Sequence, residues 1–105
     1  MISLSLNDWV PRRPGMCAQI NIDRSQIEAL GGVINSPESE AQETDICILR
    51  LRSGRIVALA RVYGNVLHGY TLMSMEEMET EEALREFMDE SGLDPKLVIW
   101  VPEDS

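Results

Sequence analysis

Two apolar runs joined by Ser-Gly decide the fold: Ile46-Cys47-Ile48-Leu49-Arg50-Leu51-Arg52-Ser53-Gly54-Arg55-Ile56-Val57-Ala58-Leu59-Ala60-Arg61-Val62-Tyr63. Branched and aliphatic residues dominate both runs, and a Ser-Gly dipeptide between such runs is typical of a tight turn. The stretch therefore predicts a β-hairpin. It lies within residues 46–75, which contain no acidic side chain although the whole chain carries a net charge of −9.

The length of the loop determines which hairpin side chains share a face. A two-residue loop at Ser53-Gly54 would place Arg52 opposite Arg55, although Ser-Gly is a weaker hairpin signal than Asn-Gly and also permits a longer loop. One face is then apolar, with Cys47, Leu49, Leu51, Ile56, Ala58, Ala60 and Val62. The other face combines four arginines with four aliphatic residues: Arg50, Arg52, Arg55, Arg61, Ile46, Ile48, Val57 and Leu59. We expect the apolar face to build the core and the second face, the arginine face, to lie at the surface.

Segments on both sides of the hairpin predict further strands and two helices. Alternating residues indicate strands near residues 2–6, 16–22 and 70–75. The tetrapeptide Ser25-Gln26-Ile27-Glu28 matches a capping box, and a second helix is expected from Glu81 to Ser91, capped by Thr80 and ended by Gly92. The continuous apolar run at residues 97–101 predicts a central strand covered on both faces.

These elements follow the order β-β-α-β-β-β-α-β in a single domain, residues 1–105. The predicted fold is α+β, a mainly antiparallel sheet of five to six strands with two helices on one face. From Met16 onward the order is close to the split pattern of ferredoxin-like folds, with one extra strand. The methionines Met73, Met75 and Met78 are expected to fill the core between the last meander strand and the helix.

Composition restricts the function classes. The 44% hydrophobic and 26% charged residues are ordinary for a globular domain, and no apolar window reaches the length of a membrane span. The N-terminal residues lack the features of a secretory signal, so we expect a cytoplasmic location with Cys17 and Cys47 as buried thiols. The acidity argues against a nucleic-acid binder, because such proteins carry a basic surface.

The inventory of reactive side chains favours a non-enzymatic protein. His68 is the only histidine, and the sequence around each cysteine matches no catalytic motif. One histidine and two distant cysteines do not supply the ligands of a zinc site, and the acids match no calcium loop. The glycines fit neither phosphate-binding nor dinucleotide-binding spacing. We therefore predict no catalytic residue, no metal and no cofactor.

Charge is the remaining indicator of function. Residues 36–45 and 76–90 together carry twelve of the eighteen acids. This distribution predicts a module that binds a protein partner, with a basic target as for inhibitor or immunity-type proteins. The alternative is a ligand-binding or enzymatic homodimer in which Arg50 or Arg61 holds an anionic ligand.

The arginine face is a candidate interface, most simply of a two-fold homodimer, because arginine and exposed apolar residues are enriched at interfaces. Trp9, beside Pro11 and Arg12, is an additional candidate for an exposed contact. A competing interpretation is that the hairpin arginines form surface ion pairs with the chain's own acids.

Overall fold

A computed structural model describes residues 1–10, 12–35, 44–62 and 69–101 of the chain. The strands are β1 (Ile2–Leu4), β2 (Gly15–Ile20), β3 (Thr44–Arg50), β4 (Ile56–Val62), β5 (Tyr70–Ser74) and β6 (Val98–Trp100), and the helices are α1 (Arg24–Ala29) and α2 (Thr80–Ser91). Short 3₁₀ turns lie at Leu6–Asp8, Glu77–Glu79 and Pro95–Leu97. The predicted α+β fold and element order are confirmed. Residues 36–43, which make up most of the acid-rich stretch 36–45, and His68 lie outside the described residues.

The six strands form one sheet in the order β1-β3-β4-β5-β2-β6, and every strand pairing is antiparallel. Both β4 and β5 lie between β2 and β3, the two strands that flank α1. Because two strands intervene, β2 and β3 run in opposite directions, and the sheet departs from the split β-α-β arrangement of ferredoxin-like folds. The prediction of a central last strand is wrong, since β6 lies at the sheet edge and Ile99 is half exposed.

The helix termini follow local hydrogen-bonding chemistry. The predicted cap Ser25 is wrong, because Asp23 caps α1 two residues earlier: its carboxylate accepts from the Gln26 nitrogen at 2.9 Å. In return, Gln26 Oε1 accepts from the Asp23 nitrogen at 3.0 Å, which completes the reciprocal box. The end of α2 at Gly92 is confirmed. No helix within residues 1–10, 12–35, 44–62 and 69–101 combines the length and apolarity needed to cross a bilayer.

The predicted hairpin register is wrong by one residue. Arg50 pairs with Ile56, and the Leu51 nitrogen donates to the Arg55 oxygen at 2.8 Å, so the loop has three residues, Arg52–Gly54. Gly54 has a φ of +93°, the left-handed conformation that closes a three-residue hairpin loop and that a side chain strongly disfavours. The extra loop residue moves every β4 side chain to the face opposite the predicted one.

With this register, the apolar core lies between the sheet and the two helices. Cys47, Leu49 and Leu51 face the helices as predicted, but Val57 and Leu59 join them in place of Ile56 and Ala58. The other members of the buried cluster are Cys17, Ala18, Ile20, Ile22, Ile27, Tyr70, Leu72, Ala83 and Phe87. Cys17 and Cys47 are therefore buried thiols, and burial raises the pKa of Cys17 to about 11.

The reverse face of the sheet, directed away from the helices, carries Ile46, Ile48, Arg50 and Ile56. Ile48 is fully buried there, although it does not belong to the main cluster. The turn Leu6–Asp8 contacts β3, and it begins the connector that joins β1 at one edge of the sheet to β2 four positions away. The chain's own N-terminal turn therefore lies beside β3, the strand that carries Ile48.

Alanine substitutions at two glycines separate backbone strain from steric overlap. Gly54 and Gly69 both have positive φ, but a methyl group at Gly54 meets open space whereas one at Gly69 overlaps the Ile20 carbonyl oxygen. We expect Gly54→Ala to lower the free energy of unfolding by about 1–2 kcal/mol, the cost of strain alone, and Gly69→Ala to lower it by more. Urea unfolding followed by circular dichroism measures both, and an equal loss in the two variants would contradict this placement of the Ile20 backbone.

Candidate functional site

Arg55 joins the hairpin to α2 through three glutamates. Its side chain is 17% exposed, and its Nη1 and Nη2 lie 2.8 Å from Glu79 Oε2 and 3.0 Å from Glu82 Oε2. The Nε of Arg55 donates to Glu86 Oε2. The three-residue loop produces this arrangement, because it directs Arg55 towards the helices together with Leu51 and Val57. A guanidinium held by several carboxylates in one geometry is stronger than an isolated surface pair.

The contacts with Arg55 also change the pKa of one carboxyl group on α2. The hydrogen bond from Arg55 is the largest cause that holds the pKa of Glu86 below its ordinary value, and the Arg55 charge adds to it. The Glu86 carboxylate is therefore charged in the folded protein to a lower pH than it would be in the unfolded chain. The stability of the folded protein therefore depends on the protonation state of Glu86.

Glu90 forms a second connection between the hairpin and α2. Its side chain is 7% exposed, and both carboxylate oxygens accept from the Arg52 backbone nitrogen, at 3.1 and 3.2 Å. The Arg52 guanidinium contributes less, since its Nε lies 3.5 Å from Glu90 Oε1 and its side chain is 90% exposed. The Met1 amino nitrogen lies 3.4 Å from the same oxygen. Glu90 is thus a buried carboxylate oriented by the hairpin backbone.

Two clefts flank Arg52. The small cleft has a volume of about 200 Å³ and lies between the hairpin loop and α2, where Glu86, Asp89 and Glu90 contribute three carboxylates. The large cleft has a volume of about 530 Å³ and lies on the other side, where Arg50, Arg52 and the exposed Ile2 line it. Arg52 and Glu90 border both clefts. The end of the molecule at the hairpin loop therefore presents an anionic and a cationic recess side by side.

The acidic segment, residues 76–90, carries eight acids and only one basic residue, Arg85. Arg55 neutralises part of this charge. Four further acids of the segment take part in none of the ion pairs that the structure shows among its described residues, and all four are exposed: Glu76, Glu77, Glu81 and Asp89. Among them stands Met78, which is 99% exposed.

The exposure of Met78 corrects the prediction that this methionine fills the core. Met73 and Met75 are partly buried on or beside β5, but Met78 lies in the 3₁₀ turn Glu77–Glu79 before α2 begins. Because Met78 precedes α2, it is not part of the helical repeat that directs Ala83 and Phe87 towards the core. Acids flank Met78 on both sides in the run Glu76-Glu77-Met78-Glu79. This pattern could have indicated a surface position.

The predicted interface residues do not share one surface. Arg50, Ile46 and Ile48 lie together on the reverse face, where Ile48 is fully buried, whereas Arg52 lies in the loop. The remaining hairpin members face the helices: Val57 and Leu59 are fully buried in the core, Arg55 contacts α2, and Arg61 pairs with Asp45 in the strand register. Trp9 follows the Leu6–Asp8 turn and is partly buried.

Asp45 is a buried acid at the end of the acid-rich stretch 36–45. It belongs to β3, is almost fully buried, and accepts a hydrogen bond from the Tyr70 hydroxyl at 3.4 Å. The alternation of β3 could have indicated this position, because Asp45 shares a face with Cys47 and Leu49.

The described residues contain no group of three or more histidine, cysteine or acidic side chains arranged to hold a metal ion. Searches for similar proteins find no matching family model, curated protein or solved structure. Function is therefore inferred from the chemistry of the acidic segment and the two clefts.

Neutral substitutions at Arg55 and Arg52 compare the two arginines that contact α2. Arg55→Gln leaves Glu79, Glu82 and Glu86 without their shared cation, and because these carboxylates are 29–60% exposed the loss is expected to cost about 1–2 kcal/mol. The matched control Arg52→Gln removes an exposed charge with one long contact and is expected to cost at most about 0.5 kcal/mol. Chemical unfolding measures both, and a loss at Arg52 as large as that at Arg55 would contradict the dominant role of Arg55.

The lowered pKa of Glu86 predicts a pH dependence of stability. A carboxyl whose pKa is lowered by folding stabilises the fold above its unfolded pKa, and this contribution disappears as the pH falls through the folded pKa. We expect the urea midpoint of the wild type to fall between about pH 6 and about pH 3. The decrease should be smaller in Glu86→Gln, which cannot titrate at this position. Parallel curves for the two proteins would show that the Arg55–Glu86 contact is not responsible.

Proposed function

We propose that the protein is a non-enzymatic binding module that docks a basic protein partner on its acidic segment. One observation carries this proposal: a fully exposed methionine stands among acids that are not neutralised within the described part of the chain. A charged rim around an apolar anchor is the usual anatomy of a protein-binding site, because the apolar contact supplies affinity and the charges orient and accelerate association.

The chemistry of Met78 supports adaptable recognition. Methionine is flexible and polarizable, so an exposed methionine can pack against partner surfaces of different shape. Glu76, Glu77 and Glu81 surround its position in sequence and favour lysine and arginine on the partner. Complementary charge also raises association rates at low ionic strength. Within this class, an inhibitor or immunity-type protein that opposes a basic enzyme is the narrower proposal.

A second candidate is the binding of a small anionic ligand, and the large cleft is the observation that favours it. Arg50 and Arg52 both line that cleft, so of the two predicted alternatives, Arg50 or Arg61, this candidate retains Arg50; Arg61 lies on the opposite face of the sheet. A homodimer through the arginine face has less support, because the residues of that face are divided between two sides of the sheet. Arg50→Ala should abolish anion uptake, and substitution of Glu76, Glu77 and Glu81 by glutamine should leave it unchanged, because these acids do not line the large cleft.

Two variants of the acidic segment test whether a basic partner docks there. The partner is first co-purified from the native host and identified, and its complex with this protein is then reconstituted from purified components. Met78→Ala should leave stability within about 0.5 kcal/mol, because the side chain is fully exposed, yet it should weaken binding about tenfold. The triple variant Glu76→Lys, Glu77→Lys, Glu81→Lys should weaken binding by more at low salt. The wild-type affinity should also fall between about 50 and about 300 mM salt. Isothermal titration calorimetry measures these constants.

Glu28→Lys is the control outside the segment, since Glu28 is an exposed acid on α1. It should alter the affinity far less than the triple variant does. Binding that is indifferent to ionic strength, or equally weakened by Glu28→Lys, would refute docking on the acidic segment.

A further inference from the structure

We propose that the small cleft is the receptor for one arginine side chain of the partner, and that the chain's own Arg52 borders its mouth until that side chain displaces it. This proposal rests on the proposed function, since a basic partner supplies the arginine, and it names the contact by which the partner would be recognised. The cleft lies near the C-terminal end of α2, whereas Met78, Glu76 and Glu77 precede the N-terminal end, roughly 15 Å away along the helix. A partner that lies along α2 would reach both.

The walls of the small cleft are complementary to an alkylguanidinium group. Glu86, Asp89 and Glu90 occupy positions i, i+3 and i+4 of α2, so they lie on one face of the helix. The hairpin loop forms the opposite wall, and the largely buried Leu51 offers an apolar surface to the methylene groups of an incoming stem. The volume of about 200 Å³ is below the roughly 300–1,000 Å³ of drug-sized ligand sites, so the cleft suits a single side chain.

The small cleft is lined by more carboxylates than cations. Three carboxylates line it, and the guanidinium of Arg52 is the cation among its lining residues. Arg55 neutralises part of the Glu86 charge from the other side of that carboxylate. Asp89 is exposed and takes part in no ion pair that the structure shows among its described residues. Glu90 also has the Met1 amino group 3.4 Å away, so the attraction for an additional cation comes mainly from Asp89.

Arg52 shows that a guanidinium can approach this site and that it is weakly held. Its contact with Glu90 is a single approach of 3.5 Å, and its side chain is 90% exposed, so little energy opposes its departure. Glu90 itself remains in place without the guanidinium, because the Arg52 backbone nitrogen orients both of its oxygens. A partner arginine would thus meet a carboxylate that is already positioned.

The planar shape of a guanidinium favours arginine over lysine as the occupant. A guanidinium has five donors in a rigid fork and can bind carboxylates in a bidentate manner, whereas an ammonium acts as a strongly hydrated point charge. Glu86 and Asp89 both line the cleft and stand three residues apart on α2, the spacing at which helix side chains are neighbours, so one guanidinium can approach two carboxylates. A lysine side chain should enter less favourably.

Titration with capped amino acids tests the receptor directly. N-acetyl-arginine amide is added to the ¹⁵N-labelled protein, with N-acetyl-lysine amide and N-acetyl-citrulline amide, the neutral isostere of arginine, as comparisons. The arginine derivative should shift the amide signals of Arg52, Ser53, Asp89 and Glu90 with a dissociation constant in the millimolar range. Lysine should bind at least severalfold more weakly, and citrulline should leave these signals unchanged.

Two variants with opposite expected effects make the test specific. Asp89→Asn should weaken binding of the arginine derivative about tenfold, the usual loss for a hydrogen bond to a charged group. Arg52→Gln should strengthen binding severalfold, because it removes the competing guanidinium. Glu77→Gln is the matched control, an exposed acid of the same segment that does not line the cleft, and it should have little effect.

The outcomes separate this proposal from the proposed function. If Asp89→Asn and Glu77→Gln weaken binding equally, or if Arg52→Gln weakens it, the cleft is not an arginine receptor. Partner binding that survives Asp89→Asn but not the triple lysine variant would likewise refute the receptor and retain the proposed function. Specific uptake of the arginine derivative, combined with partner binding that ignores the triple lysine variant, would refute the proposed function and retain the guanidinium site.

Discussion

Gly54 adopts a left-handed backbone conformation, and the three-residue loop that it completes sets the register of β3 against β4. Side chains alternate along a strand, so one additional loop residue exchanges the two faces of β4. Val57 and Leu59 thereby enter the core beside Cys47 and Leu49, and Arg55 turns towards the helices. The contact between the sheet and α2 depends on this exchange.

The ion cluster around Arg55 follows from that register and gives α2 its position. One guanidinium contacts three glutamates of the acidic segment, while Glu90 holds the hairpin backbone one turn further along the helix. Together these contacts fasten a strongly acidic helix to a hairpin rich in arginine. The small cleft is the space that remains between them, and its anionic lining comes from Asp89 and Glu90, which do not contact Arg55, together with Glu86, which does.

Several features were predictable because they depend on local chemistry. The hairpin, the element order, the end of α2 at Gly92 and the burial of both cysteines follow from alternation, composition and turn residues. The residues at the surface were harder to predict than these local features. The assignment of the hairpin faces relied on a two-residue loop, and Ser-Gly fits a three-residue loop as well. Met78 was assigned to the core because methionines clustered there, although its neighbours are acids.

The sequence by itself determined the α+β class, the strand and helix order and the concentration of acid in residues 76–90, since these depend on residues close together in the chain. Only the tertiary structure decided the hairpin register, the edge position of β6, and the meeting of Arg55 with Glu79, Glu82 and Glu86. These depend on loop closure and on contacts between residues distant in sequence. The acid-free hairpin is therefore not one arginine surface. It supplies the core, the cation that holds α2, and one wall of the cleft.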